Sequence, residues 1–473
     1  MKIKLLVLLL TAMIANFFFA EASTNGYEIK VNVKGFEEQD LILGYHFRKA
    51  LHVQDTVRFD KNGNAIFRGN EPLPGGIYIF YFPNGRYYEI LIDKEQHFSL
   101  ESDTVDFINN AKIRGATEPE LFFEMQRFLD KQGKIMEILR KEFLAAGDNQ
   151  KLKDDLSEKM NVLNDEVREY RKKLETENEG KFISVVIKAL NDPVIPDFDI
   201  PENTHNRDSV LYFSQKSYLK AHYFDNIDLT DTRMLRTPFF HHKIEQYFNS
   251  VLVQIPDTVA EAAIMVIEQS RPSREMFRYL VPVIYNLVNE SKIMGMEAAM
   301  VAVAEKYYLS GLADWSSEEF LTDLRKRVTE LKPTLLGQTA QDLKMESPHG
   351  EHFRLHEINA KITIIIFYEP DCGHCKKEIP ALYKDVFLKY RDRGVQVFAV
   401  YNLVDKEQWT TFIDDNNLYE WINVYDPYQQ TRFRQYYDIK STPVIYVLDK
   451  DKKIIGKKID SAQLPDFLEF ILK

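Results

Sequence analysis

Residues 362–375 of the 473-residue chain read ITIIIFYEPDCGHC, and they are the strongest indication of the fold class of the C-terminal region. The run from Ile362 to Tyr368 is apolar throughout, which predicts a strand buried on both faces of a sheet. A helix is predicted after it, because apolar residues recur at three- and four-residue steps: Ile379, Leu382, Tyr383, Val386, Phe387 and Tyr390. Further strand and helix patterns alternate downstream, so we expect residues 336–473 to form an α/β domain.

The two cysteines of the chain, Cys372 and Cys375, form a single C-x-x-C pair at the start of this predicted helix. There Cys372 meets unpaired backbone N–H groups and the positive end of the helix dipole, and both stabilise a thiolate. Its pKa is therefore expected to fall, which makes it a nucleophile. Cys375 lies one turn further on, where it can attack a mixed disulfide and release the partner. The pair predicts thiol–disulfide exchange.

Three other roles are open to this pair. A purely structural disulfide would close so short a loop that it stabilises the fold by only about 2 kcal/mol. A zinc site could combine the two cysteines with the H-x3-H spacing of His352 and His356, although the order is reversed from the usual zinc finger. A peroxidase would need an activated cysteine in a peroxide-binding pocket, whereas the C-x-x-C spacing favours an internal redox couple.

Residues 367–380 (FYEPDCGHCKKEIP), together with Ser441-Thr442-Pro443, resemble the thioredoxin superfamily. More narrowly, they are similar to the TlpA/ResA-like exported thiol–disulfide oxidoreductases. The likeness covers about residues 336–473. It implies a thioredoxin-like fold in which Cys372 attacks the substrate, Cys375 resolves the mixed disulfide, and the two form a redox-active disulfide.

The resemblance also implies roles for neighbouring residues. Thr442 and Pro443 would form a cis-proline turn that faces the cysteines and pairs with the substrate peptide. Glu378 matches a glutamate that exported members use to tune the thiols and relay protons, and its alternative is an ordinary solvated helix residue. Pro380 matches the proline that kinks the active-site helix of the family. We expect no metal and no cofactor.

Two residues beside the cysteines are expected to modulate the pKa of Cys372 in opposite directions. His374 favours the thiolate when it is cationic, and the Gly373-His374 dipeptide resembles that of the oxidising disulfide isomerases. Asp371 opposes the thiolate and stands where most members have tryptophan. Ile366 stands where cytosolic thioredoxins bury an aspartate, which leaves Glu378 as the natural proton acceptor.

The direction of electron flow follows from the resemblance alone. It favours an enzyme that reduces disulfides in proteins or peptides and is recharged by a membrane-bound electron donor. An oxidase or isomerase is the runner-up, since opposed effects on one thiol do not settle a reduction potential. A binding protein with a vestigial redox domain is the alternative from another class, because a bare oxidoreductase needs none of the residues before Leu336.

Three regions precede the C-terminal domain. A basic start, an apolar stretch and an A-x-A ending predict a signal peptide over residues 1–22, hence export, with the periplasm as the expected location. Period-two alternation predicts a small antiparallel β-sandwich or barrel over 23–115. Helical periodicity predicts a mainly helical domain over 116–335, with a Pro-rich break near 192–201. This order resembles a secreted thioredoxin-like architecture common in Bacteroidetes.

Local signals add detail to these regions. Asn62-Gly63 and Asn84-Gly85 have the composition of tight hairpin turns. Thr117 and Glu120 have the spacing of a capping box. An apolar stripe from Leu152 to Leu174 predicts a long charged helix, which could pair in a dimeric coiled coil or pack against neighbouring helices of its own chain.

Composition and hydropathy argue against nucleic-acid binding and against a membrane-spanning segment after the predicted signal peptide. The net charge is −11, from 61 basic and 72 acidic residues, and no basic run stands out, so nucleic acid is not expected as a partner. Beyond the predicted signal peptide, no segment is long and apolar enough to predict a membrane span. We therefore expect an exported soluble protein.

Overall fold

The computed structural model describes residues 26–473, which fall into two compact units divided between Tyr247 and Phe248. The predicted signal peptide, residues 1–22, lies outside the described residues. The first unit holds the β domain and the helices up to Tyr247, and the second holds the later helices and the C-terminal sheet. The region predicted as one helical domain, 116–335, is thus shared between the two units.

The first unit begins with two four-stranded sheets, with strand orders β4-β1-β7-β8 and β3-β2-β5-β6. The strands are β1 Tyr27–Lys34, β2 Asp40–Phe47, β3 Ala50–Arg58, β4 Asn64–Gly69, β5 Gly76–Tyr81, β6 Tyr87–Ile92, β7 His97–Asp103 and β8 Lys112–Arg114. Alternate side chains of β1 are buried, so the period-two pattern correctly predicted the all-β class. The expectation of a purely antiparallel domain is wrong, because β1 and β7 run parallel.

The two Asn-Gly pairs occupy different kinds of turn. Asn84-Gly85 lies in the hairpin between β5 and β6, and Gly85 has the positive φ (+77°) that such turns require. Asn62-Gly63 instead lies between β3 and β4, which belong to different sheets. The prediction of a hairpin there is wrong. The turn is held by the N–H of Val33, which donates to the carbonyl oxygen of Gly63.

The described part of the first unit, residues 26–247, contains six α-helices: Phe107–Asn110, Thr117–Ala145, Gln150–Glu177, Phe182–Leu190, Arg207–His222 and Phe240–Gln246. The two long ones pack against each other, with the rings of Phe128 and Tyr170 stacked at 4.0 Å. The apolar stripe therefore has a partner within its own chain. The predicted Pro-rich break lies between the helices that end at Leu190 and begin at Arg207.

The cap of the Thr117–Ala145 helix differs from the predicted capping box. Its N-cap is Ala116, which makes no side-chain hydrogen bond. The carboxylate of Glu95 accepts the backbone N–H groups of Thr117 and Glu118 instead. A distant acid thus satisfies the free N–H groups that the local motif was expected to satisfy.

The second unit begins with four helices: Pro256–Ser270, Arg274–Asn289, Glu297–Val303 and Glu318–Leu331. Apolar side chains of the first three form their common core, with Val266, Leu280 and Val303 fully buried. Ser317 caps the fourth helix through its side chain, which accepts the N–H of Phe320. These helices confirm the mainly helical class predicted for this part of the chain.

A seven-stranded sheet follows, with the order β10-β9-β13-β12-β11-β14-β15. Its strands are β9 Lys344–Glu346, β10 His352–Arg354, β11 Ile362–Tyr368, β12 Val395–Tyr401, β13 Ile422–Tyr425, β14 Val444–Leu448 and β15 Ile454–Lys457. The helices around it are Cys375–Ala381, Leu388–Tyr390, Lys406–Asp415, Phe433–Tyr436 and Leu464–Ile471.

The strand β11 lies inside this sheet, parallel to β12 and antiparallel to β14. All seven of its residues are buried, because its two faces pack into two separate apolar cores. Ile364 and Ile366 belong to one core, while Ile365 and Phe367 belong to the other. The α/β class predicted from the apolar run is confirmed. Within residues 26–473, no helix combines the length and apolarity that crossing a bilayer requires.

Candidate active site

The two predicted motifs meet at one end of β11. The register between β11 and β14 pairs Phe367 with Val444, which brings the residues before Val444 next to the loop after Tyr368. That loop carries Cys372, and the residues before Val444 are Thr442 and Pro443, joined by a cis peptide bond. Sheet pairing therefore juxtaposes segments that are 70 positions apart in the sequence.

Cys372 is the more accessible of the two cysteines. Its side chain is partly buried, and its Sγ donates a hydrogen bond to the carbonyl oxygen of Thr442 at 3.2 Å. Burial acts to raise the pKa of Cys372, but hydrogen bonds from the backbone N–H and the thiol of Cys375 outweigh it, so the pKa lies below the ordinary 9.0. A lowered pKa provides thiolate near neutral pH, as a nucleophile needs.

Cys375 is fully buried, and both cysteines are free thiols in this structure. Burial raises the pKa of Cys375 to about 12, since a thiolate there would lose its solvation. The two sulfurs thus differ sharply in their readiness to ionise. This difference is consistent with the order of action predicted from the sequence, in which Cys372 attacks first.

The active-site helix begins at Cys375 rather than at Cys372, with His374 as its N-cap. The N–H of Cys372 is used in the preceding turn, where it donates to the carbonyl oxygen of Glu369. The N–H groups that stabilise a Cys372 thiolate are those of Cys375 and His374, ahead of the first helical turn. Backbone N–H groups thus stabilise a Cys372 thiolate as predicted, but they belong to the turn that leads into the helix.

Beyond Ala381 the helix continues through a π-helical segment, Leu382–Phe387, into Leu388–Tyr390. Pro380 lies inside the first segment. Because proline has no N–H and its ring displaces the preceding turn, the regular α-helical pattern cannot pass through it unchanged. The apolar face predicted for the helix is buried, apart from the partly exposed Tyr383.

Glu378 lies one turn after Cys375 and is partly buried. Its Oε2 accepts a hydrogen bond from the backbone N–H of Ser461 at 2.8 Å. The carboxylate also lines the groove that contains His374, Thr442 and Pro443. It is therefore anchored beside the site rather than free in solvent.

Asp371 and His374 are both exposed at the entrance to the site. The amide Nε2 of Gln408, on the Lys406–Asp415 helix, donates to Oδ2 of Asp371 at 2.6 Å. This contact holds the acid next to the cysteine turn. No sequence signal pointed to Gln408, because the helix that carries it lies more than 30 residues away.

A buried hydrogen bond between the side chains of Trp409 and Tyr368 lies in the apolar core beneath the site. The indole Nε1 of Trp409 donates to the hydroxyl of Tyr368 at 2.9 Å, and both side chains are fully buried. They share one apolar core with Cys375 and Ile366. Trp409 lies on the Lys406–Asp415 helix, and Trp421 directly precedes β13.

The zinc alternative is not supported by the placement of its histidines. His352 lies in β10, at the edge of the sheet and separated from β11 by three strands. The ring Nε2 of His356 lies 2.8 Å from the carbonyl oxygen of Ala340. Among residues 26–473, no three histidine, cysteine or acidic side chains converge as metal ligands.

Three family patterns match the chain in succession. Residues 336–457 match the AhpC/TSA family. Residues 149–327 match a domain of unknown function, DUF5106, and residues 27–122 match another, DUF4369. Among curated proteins, none matches the chain at a significant level.

Several solved structures resemble parts of the chain. A domain of a possible thiol-disulfide isomerase from Cytophaga hutchinsonii is 43% identical, and the match covers 29% of this chain and 92% of that one, with a TM-score of 0.28. A thioredoxin-like protein from Bacteroides caccae is 19% identical over 59% of this chain and 98% of that one, with a TM-score of 0.45. A thiol:disulfide interchange protein from a Bacteroides species is 23% identical over 30% of this chain and 91% of that one, with a TM-score of 0.28.

Proposed function

Because the chain belongs, through its C-terminal domain, to the TlpA-like thiol–disulfide oxidoreductases of the thioredoxin superfamily, we propose that it reduces disulfide bonds in exported proteins. The observation that supports this most directly is the contrast between the two thiols. Cys372 is accessible and has a lowered pKa, while Cys375 is buried and protonated behind it. Such a pair can capture a substrate sulfur with one thiol and release it with the other.

In the first step, the thiolate of Cys372 attacks one sulfur of the substrate disulfide. A bond forms between Cys372 and that sulfur, the substrate S–S bond breaks, and the displaced sulfur leaves as a thiolate that takes a proton from solvent. The carbonyl oxygen of Thr442 lies beside the attacking sulfur, so a substrate strand could pair with this backbone during the attack.

In the second step, Cys375 loses its proton and attacks Sγ of Cys372. The bond between Cys372 and the substrate breaks, and the second substrate sulfur leaves and is protonated. Two electrons have then passed from the dithiol to the substrate, and a Cys372–Cys375 disulfide remains. With a pKa of about 12, Cys375 needs a proton acceptor, and Glu378 is the carboxylate that we assign to this task.

The proposed reductant works outside the cytoplasm. The basic start and apolar stretch of residues 1–22 support export, with the periplasm as the destination. The disulfide left after each cycle must then be reduced again, for which we propose a membrane-bound electron donor. Its chemical requirement is a dithiol of lower reduction potential.

Reduction of insulin disulfides by the full-length chain tests the proposal. The wild type should precipitate the insulin B chain, and both Cys372→Ser and Cys375→Ser should be inactive. Only Cys375→Ser should accumulate a mixed disulfide with insulin, because it retains the attacking thiol. An inactive wild type would favour the binding-protein alternative instead.

A reduction potential measured against glutathione distinguishes the reductant from the runner-up. A reductant should fall at or below the glutaredoxin range of about −200 to −230 mV. His374 at the helix N-cap is the feature that favours the oxidising direction, because a cation there stabilises the reduced pair. A value near about −120 mV, typical of strong periplasmic oxidants, would make the chain an oxidase or isomerase.

A further inference from the structure

The groove beside Cys372 is completed by a residue from outside the C-terminal domain. It has a volume of about 450 Å³ and contains His374, Thr442 and Pro443 on its catalytic side. Arg327, on the Glu318–Leu331 helix, lines the same groove. It is the last residue of the region that matches DUF5106, so this otherwise unassigned region reaches the proposed substrate site.

Arg327 belongs to a cationic cluster that we define as Arg327, Lys440 and Lys458, gathered around Asp438. The side chain of Asp438 is 1% exposed. Its carboxylate lies 2.9 Å from the guanidinium of Arg327, 3.2 Å from Nζ of Lys458 and 3.4 Å from Nζ of Lys440. One buried acid therefore holds three cations in place along the wall of the groove.

The cationic cluster carries more positive charge than its acids neutralise. Besides Asp438, only the carboxylate of Glu330 contacts it in the described structure, 3.4 Å from Nζ of Lys440. Three cations thus face two carboxylates. The side chains of Arg327 and Lys440 remain 34% and 60% exposed, so an incoming anion can reach them.

Two other acids, Glu378 and Asp460, also line the groove. Glu378 accepts the backbone N–H of Ser461, and Asp460 accepts the backbone N–H of Gln463, both at 2.8 Å. These carboxylates would repel an acidic ligand, whereas the cationic cluster would attract it. The groove therefore carries charges of both signs, and an acidic side chain is favoured only where it lies against the cationic cluster.

We propose that the cationic cluster selects disulfide-bonded polypeptides that carry an acidic side chain next to the attacked cysteine. This inference rests on the proposed function and names its substrate class. Arg327 and Lys440 are the specificity residues, because they are positively charged, line the groove and are at least partly exposed. The helical region that supplies Arg327 thereby takes part in choosing the substrate.

The test compares two synthetic peptides, each closed by one disulfide and differing only by glutamate or glutamine beside one cysteine. The reduced full-length chain should reduce the glutamate peptide about threefold to fivefold faster, as expected for partly exposed ion pairs. Arg327→Gln and Lys440→Gln should each shrink this preference to less than about twofold. Salt at about 0.5 M should shrink it in the wild type as well.

Arg325→Gln is the matched control, since Arg325 is an exposed arginine on the same helix but not part of the groove. It removes the same charge and should leave the preference intact. Lys440→Gln distinguishes a loss of specificity from misfolding, because Lys440 is far more exposed than Arg327 and its replacement should disturb the fold less. Equal rates for both peptides in the wild type, or a preference that survives both cluster variants, would overturn the inference alone. Reduction of neither peptide would overturn the proposed function and the inference with it.

Discussion

The thiol of Cys372 donates its hydrogen bond to the carbonyl oxygen of Thr442, 70 positions further along the chain. Neither residue belongs to a strand, and each lies just beyond the end of one. Their contact follows from the antiparallel pairing of β11 with β14, which ends at Phe367 and Val444. The thiol of Cys372 and the backbone carbonyl that accepts its hydrogen bond are therefore positioned by the sheet rather than by the loops alone.

The alkylation rates of Cys372 and Cys375 should depend differently on pH. In Cys375→Ser, the rate of reaction of Cys372 with iodoacetamide should reach half its maximum below pH 9.0, since its thiolate forms below the ordinary pKa. In Cys372→Ser, Cys375 should react at least about 100-fold more slowly at pH 7, because its pKa is about 12. Mass spectrometry of timed samples gives both rates. Similar rates at the two positions would contradict the assignment of Cys372 as the nucleophile.

Asp371→Asn should make Cys372 more reactive. The substitution removes a negative charge next to the thiolate while retaining a side chain that can hydrogen-bond to Gln408. Because Asp371 is exposed, solvent weakens its effect, and we expect about a twofold rise in the alkylation rate near neutral pH. Asp415→Asn, on the exposed surface of the Lys406–Asp415 helix, is the control of equal charge. An unchanged or slower rate in Asp371→Asn would show that the acid does not oppose the thiolate.

The sequence predicted what depends on local pattern. A continuous apolar run identified β11, the C-x-x-C placed the cysteines after it, and Ser441-Thr442-Pro443 identified the facing turn. Contacts between distant elements were not predictable. Gln408 reaches Asp371 and Glu95 caps the Thr117–Ala145 helix only because tertiary packing brings them there.

The contribution of Arg327 to the groove beside Cys372 could not be predicted from the sequence either. Arg327 lies 45 positions before Cys372 on a helix whose periodicity reports only its buried face. Arg327, which is partly exposed, belongs to no periodic pattern and to no motif, so no sequence signal connects it with the cysteines. The parallel pairing of β1 with β7 escaped prediction for a similar reason, since alternation of side chains is common to both strand orientations.

Asp438→Asn should lower the free energy of unfolding, and the size of this loss should depend on pH. Although burial acts to raise the pKa of Asp438, the charges of Lys458 and Arg327 outweigh it and lower the pKa below 3.8. A carboxyl with a lowered folded-state pKa stabilises the protein above its unfolded pKa and loses this effect as the pH falls through the folded value. The variant should therefore be less stable than the wild type by about 1–2 kcal/mol at pH 7, and the difference should shrink below about pH 4. Urea unfolding at both pH values measures it, and a difference that stays constant or grows in acid would contradict the ion-pair account.

Glu297→Gln should cost more stability than Lys457→Met. The side chain of Lys457 is 2% exposed, and its Nζ lies 3.3 Å from Oε1 of Glu297 without the alignment of a hydrogen bond. Removing the acid leaves a buried cation alone, which we expect to cost about 1–3 kcal/mol because Glu297 is itself partly exposed. Replacing the lysine by methionine removes that charge and keeps an apolar side chain of similar length.

Urea unfolding of both variants measures this difference. Glu290→Gln, at an exposed position, serves as the control and should change stability by less than about 0.5 kcal/mol. A larger loss in Lys457→Met than in Glu297→Gln would mean that the ion pair is a net stabiliser. The buried charge would then not be the dominant cost.

The same lysine bears on how the chain can be cut and recombined. Its backbone N–H donates to the sulfur of Met294 at 3.2 Å, so both its main chain and its side chain contact residues that precede the AhpC/TSA-matching region by about 40 positions. A fragment that starts at Leu336 would leave Lys457, on β15, without the carboxylate of Glu297 and the sulfur of Met294. Chimeras that exchange this module between related proteins should therefore carry the Glu297–Val303 helix along, with the junction upstream of Met294.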